Sequence, residues 1–337
     1  MKAFHIESPG TSAPLVLREH ADLSPGDNQV VVRVRASALN SRDLKIMNSE
    51  FRIPTRKGLI PLSDGAGEVV AVGPGVTRLT VGDRVASCFH QAWIAGRIER
   101  EYMGTDLGGS RDGMLAEQVV LSQDGVVRLP EHLSFEEGAA LPCAGVTAWC
   151  ALHDHLQVTP GDTVLTLGTG GVSLFALQFA KMAGARVIST TSSAEKAARL
   201  KALGADEVVN YREHPNWEEK VLALTGKRGV EHVIEIGGPS TLGKSVKCAA
   251  LGGQIVLIGI VGGEASGFNP DTLRGRSIVL RSTNVGSRKS FEAMNRAIAV
   301  QEMRPVIDKA FAFDEAADAY RHLASQAHFG KVLISHG

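Results

Sequence analysis

The sequence of 337 residues predicts an α/β protein, in which a doubly wound parallel sheet stands beside a second, β-rich region. Residues 163–191 give the first indication, because they read as a buried strand, a glycine turn, a helix and a second strand. The second indication is the alternation of strand-like and helix-like segments that continues to residue 260. The third is residues 1–125, where clusters of β-forming residues alternate with turn signals.

The glycine turn at residues 168–171 (GTGG) lies in the context that a dinucleotide-binding turn requires. In such a turn, free backbone N–H groups and the positive end of the helix dipole favour the pyrophosphate. Ser173 stands where a third glycine is usual, so the helix and the strand are expected to lie slightly further apart. The alternative is an ordinary tight turn of a doubly wound sheet. We expect the phosphates to contact Gly168, Gly170, Gly171 and Val172.

The end of the second strand indicates which dinucleotide binds. An NAD site normally places Asp or Glu there, whereas residues 190–193 are uncharged and Glu195 already lies in the next helix. Small hydroxyls followed by a cation suit a 2′-phosphate, so we expect NADP(H), with Ser192 and Lys196 at that phosphate. Ser192 can at the same time cap the helix, in a capping box with Glu195, and the alternative for Lys196 is a solvated helix face.

Composition narrows the class of protein. Hydrophobic residues make up 44% and charged residues 21% of a chain with a formal net charge of zero, which indicates a globular protein and argues against nucleic acid or anionic membranes as partners. No apolar run approaches the ~20 residues that cross a bilayer, and the first ten residues lack a signal-peptide core. We therefore expect a cytoplasmic protein, without a disulfide framework among its four cysteines.

Segments outside the central unit complete the prediction. Residues 133–152 read as two short helices bent at Pro142, and residues 91–112 read as a long loop or lid, or else a surface excursion without a role. Residues 277–283 read as a final strand. We expect this strand to pair with its copy across a two-fold axis, which would form a homodimer. Aromatic residues expected to line a substrate pocket are Phe51, Trp93, Tyr102 and Phe268.

Several segments spread along the chain form a familiar pattern. They are Leu39–Asp43, Asp64–Gly73, Val81–Val85, Leu141–Trp149, Gly204–Asp206 with Asn210 and Tyr211, Gly237-Gly238 and Phe329–Val332. Through these segments the whole chain resembles the medium-chain dehydrogenase/reductase superfamily. The resemblance implies a GroES-like β-rich domain, formed by residues 1–126 and completed by 271–337, around a Rossmann domain at residues 127–270.

One departure from the superfamily concerns zinc. Its zinc-dependent alcohol dehydrogenases carry a cysteine, a histidine–glutamate pair and a second cysteine. The residues of this chain at the aligned positions cannot supply the three protein ligands that a zinc site needs, so we expect no metal. A polar helix end explains His153 and His155 better than metal binding does. The resemblance thus implies the zinc-free branch, similar to quinone oxidoreductases and zinc-type alcohol dehydrogenase-like proteins. The four aligned positions hold Asn40, Ser63, Asp64 and Cys143.

The zinc-free branch implies NADPH-dependent reduction of a quinone or an α,β-unsaturated carbonyl compound. Hydride transfer needs alignment of the reacting carbons, exclusion of water and a donor for the charge that grows on the acceptor oxygen. Two alternatives remain open: metal-free alcohol or aldehyde oxidoreduction, and a cofactor-binding protein with little catalysis.

The candidate catalytic residues are Asn40 and Asp43. The amide of Asn40 either anchors the nicotinamide ribose or points at the substrate oxygen, or it merely caps the helix at residues 41–47. For Asp43 the simpler explanation is a local ion pair with Arg42.

Six further residues are expected at the cofactor, partly because the resemblance implies them. Thr147 is expected at the nicotinamide amide, unless it is only a buried helix threonine. Lys331 is expected to reach the cofactor from the tail, unless it is a surface lysine. The resemblance adds Tyr211 beside the 2′-phosphate, and Gly237. Ile258 is expected beside the nicotinamide because it stands at a strand end, and Ser287 lies in a glycine turn that returns over the cofactor with Arg288.

Overall fold

The computed structural model describes residues 1–11, 14–50, 55–259, 267 and 269–337. It divides into two compact units, one formed by Met1–Val146 and Val285–Gly337 and the other by Thr147–Asn284. Phe51 and Phe268, which we expected in a pocket wall, lie outside the described residues.

The first unit begins with an antiparallel β structure. Its strands are β1 (Lys2–Ile6), β2 (Leu15–Glu19), β3 (Gln29–Ala38), β4 (Asp64–Val72), β5 (Arg84–Ser87), β6 (Gln118–Ser122) and β7 (Val126–Arg128). Its helices are α1 (Ser41–Met47) and α2 (Phe135–Ala139), with 3₁₀ turns at Arg100–Gly104 and Gln123–Gly125 and a π-helical turn at Leu141–Gly145.

The valines of β3 explain why this strand is central, since Val30, Val32 and Val34 are all buried. β3 pairs antiparallel with both β4 and β6. Opposite it, Gly67 of β4 has no room for a side chain, because a Cβ there would lie 2.0 Å from the carbonyl oxygen of Arg33.

The second unit is a parallel sheet with helices. Its strands are β8 (Thr163–Leu167), β9 (Arg186–Thr191), β10 (Glu207–Asn210), β11 (Val230–Glu235), β12 (Ala249–Leu257) and β13 (Val279–Ser282). Its helices are α3 (Val146–His153), α4 (Gly171–Met182), α5 (Ala194–Ala202), α6 (Trp217–Leu224), α7 (Leu242–Cys248) and α8 (Pro270–Gly275), with a 3₁₀ turn at Gly238–Ser240.

The six strands of this sheet follow the order β10-β9-β8-β11-β12-β13, and each pair of neighbours is parallel. This is the strand order of the Rossmann fold, whose ligands bind at the carboxyl ends of the strands where the order reverses. The reversal lies at β8, which is buried on both faces as a central parallel strand should be. The predicted α/β fold class with a doubly wound parallel sheet is thus confirmed.

The tail returns to the first unit. It consists of α9 (Arg288–Val300), β14 (Ile307–Ala312), a 3₁₀ turn at Phe313–Glu315, α10 (Ala316–Ala324) and β15 (Lys331–Ser335). β15 pairs antiparallel with β3 and parallel with β14, so the tail completes the β structure of the unit. A shared core of the N-terminal part and the tail includes Phe4, Leu39, Ile46, Tyr320 and Val332.

Both boundaries between the units lie further along the chain than the expected ones. α2 packs on β3, β4 and β5, so the chain up to Val146 stays with the first unit. β13 extends the parallel sheet beyond residue 270 by pairing with β12. Across the described ranges, no helix combines the length and apolar character that crossing a membrane requires.

Candidate active site

The glycine turn connects β8 to α4 as predicted. Gly168 has a φ of +72°, a backbone conformation that favours glycine. Gly170 is the N-cap of α4 and has no side chain that could accept from the first N–H groups of the helix. A Cβ at Gly170 would meet no atom within 4 Å, so the backbone is open to an approaching ligand. The turn therefore offers unsatisfied N–H groups to an anion.

Ser173 ties α4 to β8. Its side chain is fully buried, and its Oγ donates to the carbonyl oxygen of Leu167 at 2.6 Å. The residue that replaces the usual third glycine therefore contributes a hydrogen bond between helix and strand.

The ends of β9 and β10 lie together. The backbone N–H of Tyr211 donates to the carbonyl oxygen of Thr191 at 2.9 Å, and the Tyr211 side chain is 39% exposed. Ser192 therefore follows directly on the residue to which Tyr211 is bound. The N-cap of α5 is Ser193, whose Oγ accepts from Lys196 N at 3.2 Å. The cap of α5 is therefore one residue later than the Ser192 that the sequence suggested. The Ser192 hydroxyl does not cap the helix.

A buried carboxylate that the sequence analysis overlooked shapes the next loop. Glu235, the last residue of β11, accepts from the backbone N–H groups of Gly237 at 2.8 Å and Gly238 at 3.0 Å. It also accepts from Thr241 Oγ1 at 2.5 Å and from the Ser245 hydroxyl. The signal was an acidic residue at a strand end, followed by two glycines and by hydroxyl residues six and ten positions later.

This loop adjoins the glycine turn, because β11 is the neighbour of β8 with Ile234 opposite Thr166. Ile236 Cδ1 lies 3.7 Å from where a Cβ of Gly168 would be. Gly237 admits no side chain either, since a Cβ would lie 2.3 Å from Thr241 Oγ1. Ile258 joins the same edge, as its N–H donates to the carbonyl oxygen of Glu235 at 2.8 Å. The structure thus brings Gly168, Gly237 and Ile258 to one edge of the sheet, whereas Ile260 lies outside the described ranges.

In the first unit, one of the four positions aligned with zinc ligands is a fully buried carboxylate, that of Asp64, and the other three lie near it. Asp64 Oδ1 accepts from Ser63 Oγ at 2.7 Å, and Oδ2 accepts from the Cys143 N–H at 3.2 Å. The ammonium of Lys331 lies 3.5 Å from Oδ2 and donates to Asn40 Oδ1 at 2.7 Å. We call Asn40, Ser63, Asp64, Cys143 and Lys331 the buried cluster.

The buried cluster does not fit a metal ion. Burial, followed by the nearby charge of Asp64, raises the pKa of the Cys143 thiol to about 12. A cation, the Lys331 ammonium, already accompanies Asp64. Among the residues that the structure describes, no three His, Cys, Asp or Glu side chains are grouped as metal ligands.

Asn40 is the N-cap of α1. Its Oδ1 is bound to Lys331, and its Nδ2 is buried without a hydrogen-bond partner in the described part of the chain. A buried, unpaired donor is costly unless a ligand completes it, so this amide can serve an acceptor atom of a substrate or cofactor.

Asp43 supports the same turn. It is buried, and its Oδ2 accepts from the Asn40 N–H at 2.7 Å. Burial raises the pKa of the Asp43 carboxyl to about 7, against the opposing charges of Arg42 and Lys331. Arg42 donates to Asp106 Oδ2 at 2.5 Å and its guanidinium lies over the ring of Phe89, and the local ion pair with Asp43 stays a prediction.

Three further residues that we expected at the cofactor are Thr147, Ser287 and Lys331. Thr147 is buried on α3, and its contact with a nicotinamide amide stays a prediction. Ser287 caps α9, where its Oγ accepts from Ser290 N at 3.1 Å. Lys331 is 3% exposed, so the alternative of a surface lysine is wrong.

The long loop is anchored to the N-terminus of α9. The N–H of Arg288 donates to the carbonyl oxygen of Trp93 at 2.9 Å, and its guanidinium donates to Asp124 Oδ1 at 2.5 Å. The rings of Trp93 and Tyr102 stack with their centroids 6.3 Å apart. Trp93 is buried, so the loop carries a fixed aromatic pair rather than a free surface excursion.

Comparison with known proteins supports both halves of this description. A family model for an alcohol dehydrogenase GroES-like domain matches residues 26–131, and one for a zinc-binding dehydrogenase matches residues 171–300. The GroES-like region expected from the sequence is therefore confirmed beside the Rossmann sheet.

Full-length relatives agree with these matches. A zinc-type alcohol dehydrogenase-like protein of Schizosaccharomyces pombe is 42% identical, over 93% of this chain and 91% of that protein. A quinone oxidoreductase of Pseudomonas aeruginosa is 32% identical, over 99% of both chains. The structure of Escherichia coli quinone oxidoreductase complexed with NADPH superposes with a TM-score of 0.83 at 25% identity, covering 100% of both chains. The chain is therefore an oxidoreductase of the medium-chain dehydrogenase/reductase superfamily.

Proposed function

We propose that this protein is a zinc-independent, NADPH-dependent oxidoreductase that transfers hydride to a quinone or an α,β-unsaturated carbonyl compound. The observation that carries the proposal is the buried cluster. Two of the positions aligned with zinc ligands hold a carboxylate, Asp64, and an amide, Asn40, whose side-chain N–H is unpaired in the described part of the chain, and the ammonium of Lys331 lies beside both. A site of this kind stabilises a developing oxyanion with a neutral donor rather than with a metal.

The choice of NADPH rests on the carboxyl ends of β9 and β10. No acidic residue stands at residues 190–193, where an NAD site places one, and Ser192, Lys196 and Tyr211 supply two hydroxyls and a cation. These groups match the hydrogen-bonding capacity of a 2′-phosphate. The Escherichia coli relative was solved with NADPH, which is consistent with this choice.

When bound, NADPH supplies the hydride from C4 of its nicotinamide. The residues of this chain orient the cofactor and the substrate, and they stabilise the charge that develops on the acceptor oxygen. The N–H groups at Gly170–Val172 hold the pyrophosphate, and the Asn40 amide donates to the acceptor oxygen as negative charge grows there. Asp43 keeps the turn that carries Asn40 in place through its bond to the Asn40 N–H. A proton from water completes the reduction.

The test is NADPH oxidation with a panel of quinones, enones, aldehydes and alcohols. We expect turnover with a quinone or enone, and a loss of about 100-fold in kcat for Asn40→Ala, as for removal of one oxyanion donor. Asn48→Ala is the control, because Asn48 is exposed at the other end of α1. Turnover confined to alcohols and aldehydes would favour the metal-free dehydrogenase. Tight NADPH binding without any turnover would favour a cofactor-binding protein.

We further propose a homodimer formed through β13. This strand is one of the two edge strands of the described parallel sheet, and Val279 on it is 48% exposed. An open edge with an apolar residue favours pairing with a second copy, which would extend the sheet across a two-fold axis. Sedimentation should give a dimer mass, and Val279→Asp should give a monomer. Val300→Asp is the control, because Val300 is 78% exposed but lies on α9. A monomer for the unmodified protein would reject this proposal.

A further inference from the structure

We propose that Lys331 is a positioning residue, whose ammonium fixes and polarises the Asn40 amide so that Nδ2 presents its N–H to the acceptor oxygen. This inference rests on the proposed function for the identity of the acceptor. The arrangement of Lys331 and Asn40 stands on the structure alone.

The register of the first unit brings the two residues together. β15 pairs antiparallel with β3, with Leu333 opposite Ala38, and the Leu39 N–H donates to the Val332 carbonyl oxygen at 3.0 Å. Continuing this register by two residues beyond the last pair of the ladder places Lys331 opposite Asn40. The contact is therefore set by two strands rather than by a mobile loop.

The ammonium of Lys331 has an acceptor within this unit for each of its three N–H donors. It donates to the carbonyl oxygen of Leu39 at 2.8 Å and to Asn40 Oδ1 at 2.7 Å, and it lies 3.5 Å from Asp64 Oδ2. An ammonium has three donors, and three acceptors are within reach here. This geometry favours a role through Asn40 over the direct cofactor contact expected from the sequence.

The charge of Lys331 decides which end of the Asn40 amide faces outward. An ammonium can only donate, so the amide must turn its oxygen toward Lys331 and its nitrogen away. A neutral partner that both donates and accepts would permit either orientation. Lys331 thereby fixes which end of the Asn40 amide faces it. The end that is left facing away is Nδ2, which is the unpaired donor.

The same bond strengthens the donor. A cation on the amide oxygen draws electron density from the nitrogen, so the N–H becomes a better donor to a developing oxyanion. Asp64 makes the buried cation tolerable, since an unpaired buried charge is costly. Asp64 is itself held by Ser63 Oγ and by the Cys143 N–H. The amide oxygen is the nearer of the two side-chain acceptors of Lys331, at 2.7 Å against 3.5 Å.

A double-mutant cycle between Lys331→Met and Asn40→Ala tests the inference. We expect Lys331→Met alone to lower kcat by about 10- to 100-fold, as misplacement of a catalytic donor does, with KM for NADPH within about twofold of the unmodified enzyme. In the Asn40→Ala background the same change should have no further effect on kcat. An equal loss in both backgrounds would overturn the proposal, because Lys331 would then act independently of Asn40.

Two further variants guard against failure to fold. Lys331→Met with Asp64→Asn removes both charges of the buried pair, so no carboxylate is left alone, and it should reproduce the kcat loss of Lys331→Met. Lys331→Arg keeps the charge and should restore part of kcat. Lys309→Met, on the adjacent strand β14, is the control for loss of an exposed lysine. No recovery in Lys331→Arg combined with normal activity in the double charge variant would contradict the proposal.

A measurement without turnover separates this inference from the proposed function. In protein labelled with ¹⁵N-asparagine, the Asn40 side-chain amide signals are identified by their loss in Asn40→Ala. We expect them to shift in Lys331→Met with the other asparagine signals largely unchanged. A shift without quinone or enone turnover would uphold the positioning role and reject the proposed function. Signals that do not move would reject the positioning role whatever the activity.

Discussion

The hydroxyl of Ser173 donates to the carbonyl oxygen of Leu167 at 2.6 Å, which bridges the first turn of α4 and the last residue of β8. In a dinucleotide-binding turn this position usually holds a glycine, which allows helix and strand to pack closely. Here a hydrogen bond at a fully buried position joins the two elements instead. The Ser173 hydroxyl is not among the groups that would face phosphate, which are the N–H groups of Gly170, Gly171 and Val172. We therefore expect a change of Ser173 to affect stability rather than nucleotide binding.

Ser173→Ala is therefore expected to destabilise the protein by about 1–2 kcal/mol, because it leaves the Leu167 carbonyl oxygen without this donor. Ser173→Gly should cost about 1 kcal/mol more, since glycine is unfavourable within a helix. Urea unfolding measures both changes. Fluorescence titration should show NADPH affinity within about twofold of the unmodified protein, as the N–H donors are retained. Tighter NADPH binding by Ser173→Gly would show instead that the hydroxyl obstructs the phosphates.

The Glu235 carboxylate organises the loop beside the glycine turn, so Glu235→Ala should loosen it. Four donors lose their acceptor, and we expect a loss of more than about 3 kcal/mol in stability and of about tenfold or more in NADPH affinity. Glu235→Gln should lose far less, because its oxygen still accepts and its NH₂ can donate to the Ser245 hydroxyl.

The control for Glu235 is Glu219→Ala, which removes an exposed carboxylate of α6 in the same unit. Thermal unfolding and nucleotide titration should show no change for it. If Glu235→Ala bound NADPH as tightly as the control does, the loop would not contribute to the nucleotide site.

Lys196 is expected to discriminate between the two dinucleotides. Lys196→Ala should weaken NADPH by about tenfold while NADH changes little, because only NADPH carries the 2′-phosphate that the ammonium would pair with. Arg199→Ala, one turn further along α5, is the matched control for loss of a cation from that helix. Parallel titrations of both nucleotides measure the effect. Equal losses for NADPH and NADH would argue against a 2′-phosphate at this position.

Local sequence patterns predicted the nucleotide-binding unit well. The strand–turn–helix–strand segment at residues 163–191 is as expected, because buried strands and helix periodicity are properties of contiguous residues. The exact cap of α5 was missed by one residue, since Ser192 and Ser193 are chemically equivalent and only the backbone decides between them.

Features that depend on distant partners were not predictable in this way. β2 and β14 carry only a weak strand signal, because β2 is largely exposed and β14 mixes charged with apolar residues. The bond between Lys331 and Asn40 joins residues 291 positions apart, so no local pattern reveals it. Glu235 differs, because its signal was present in the sequence and was overlooked.

Asp43 should make stability depend on pH in a direction opposite to that of most acidic groups. Burial raises its pKa from 3.8 to about 7, so between these values the unfolded chain has lost the proton and the folded protein keeps it. The folded state binds more protons in this window, and the free energy of unfolding therefore falls as pH rises from about 4 to about 7. Arg42 and Lys331 oppose this shift, and the charge of Asp64 adds to it.

Asp43→Asn removes the titration and retains an oxygen that accepts from the Asn40 N–H. The variant should gain stability over the unmodified protein as pH rises through this window, by an amount on the order of 4 kcal/mol at pH 8, since each pKa unit corresponds to about 1.4 kcal/mol. Near pH 4 the two proteins should differ little. Urea unfolding at pH 4, 5, 6, 7 and 8 measures the difference, with Asp27→Asn as the control for loss of an exposed aspartate. Profiles that stay parallel for Asp43→Asn and the unmodified protein would mean that Asp43 is ionised in the folded state throughout this range.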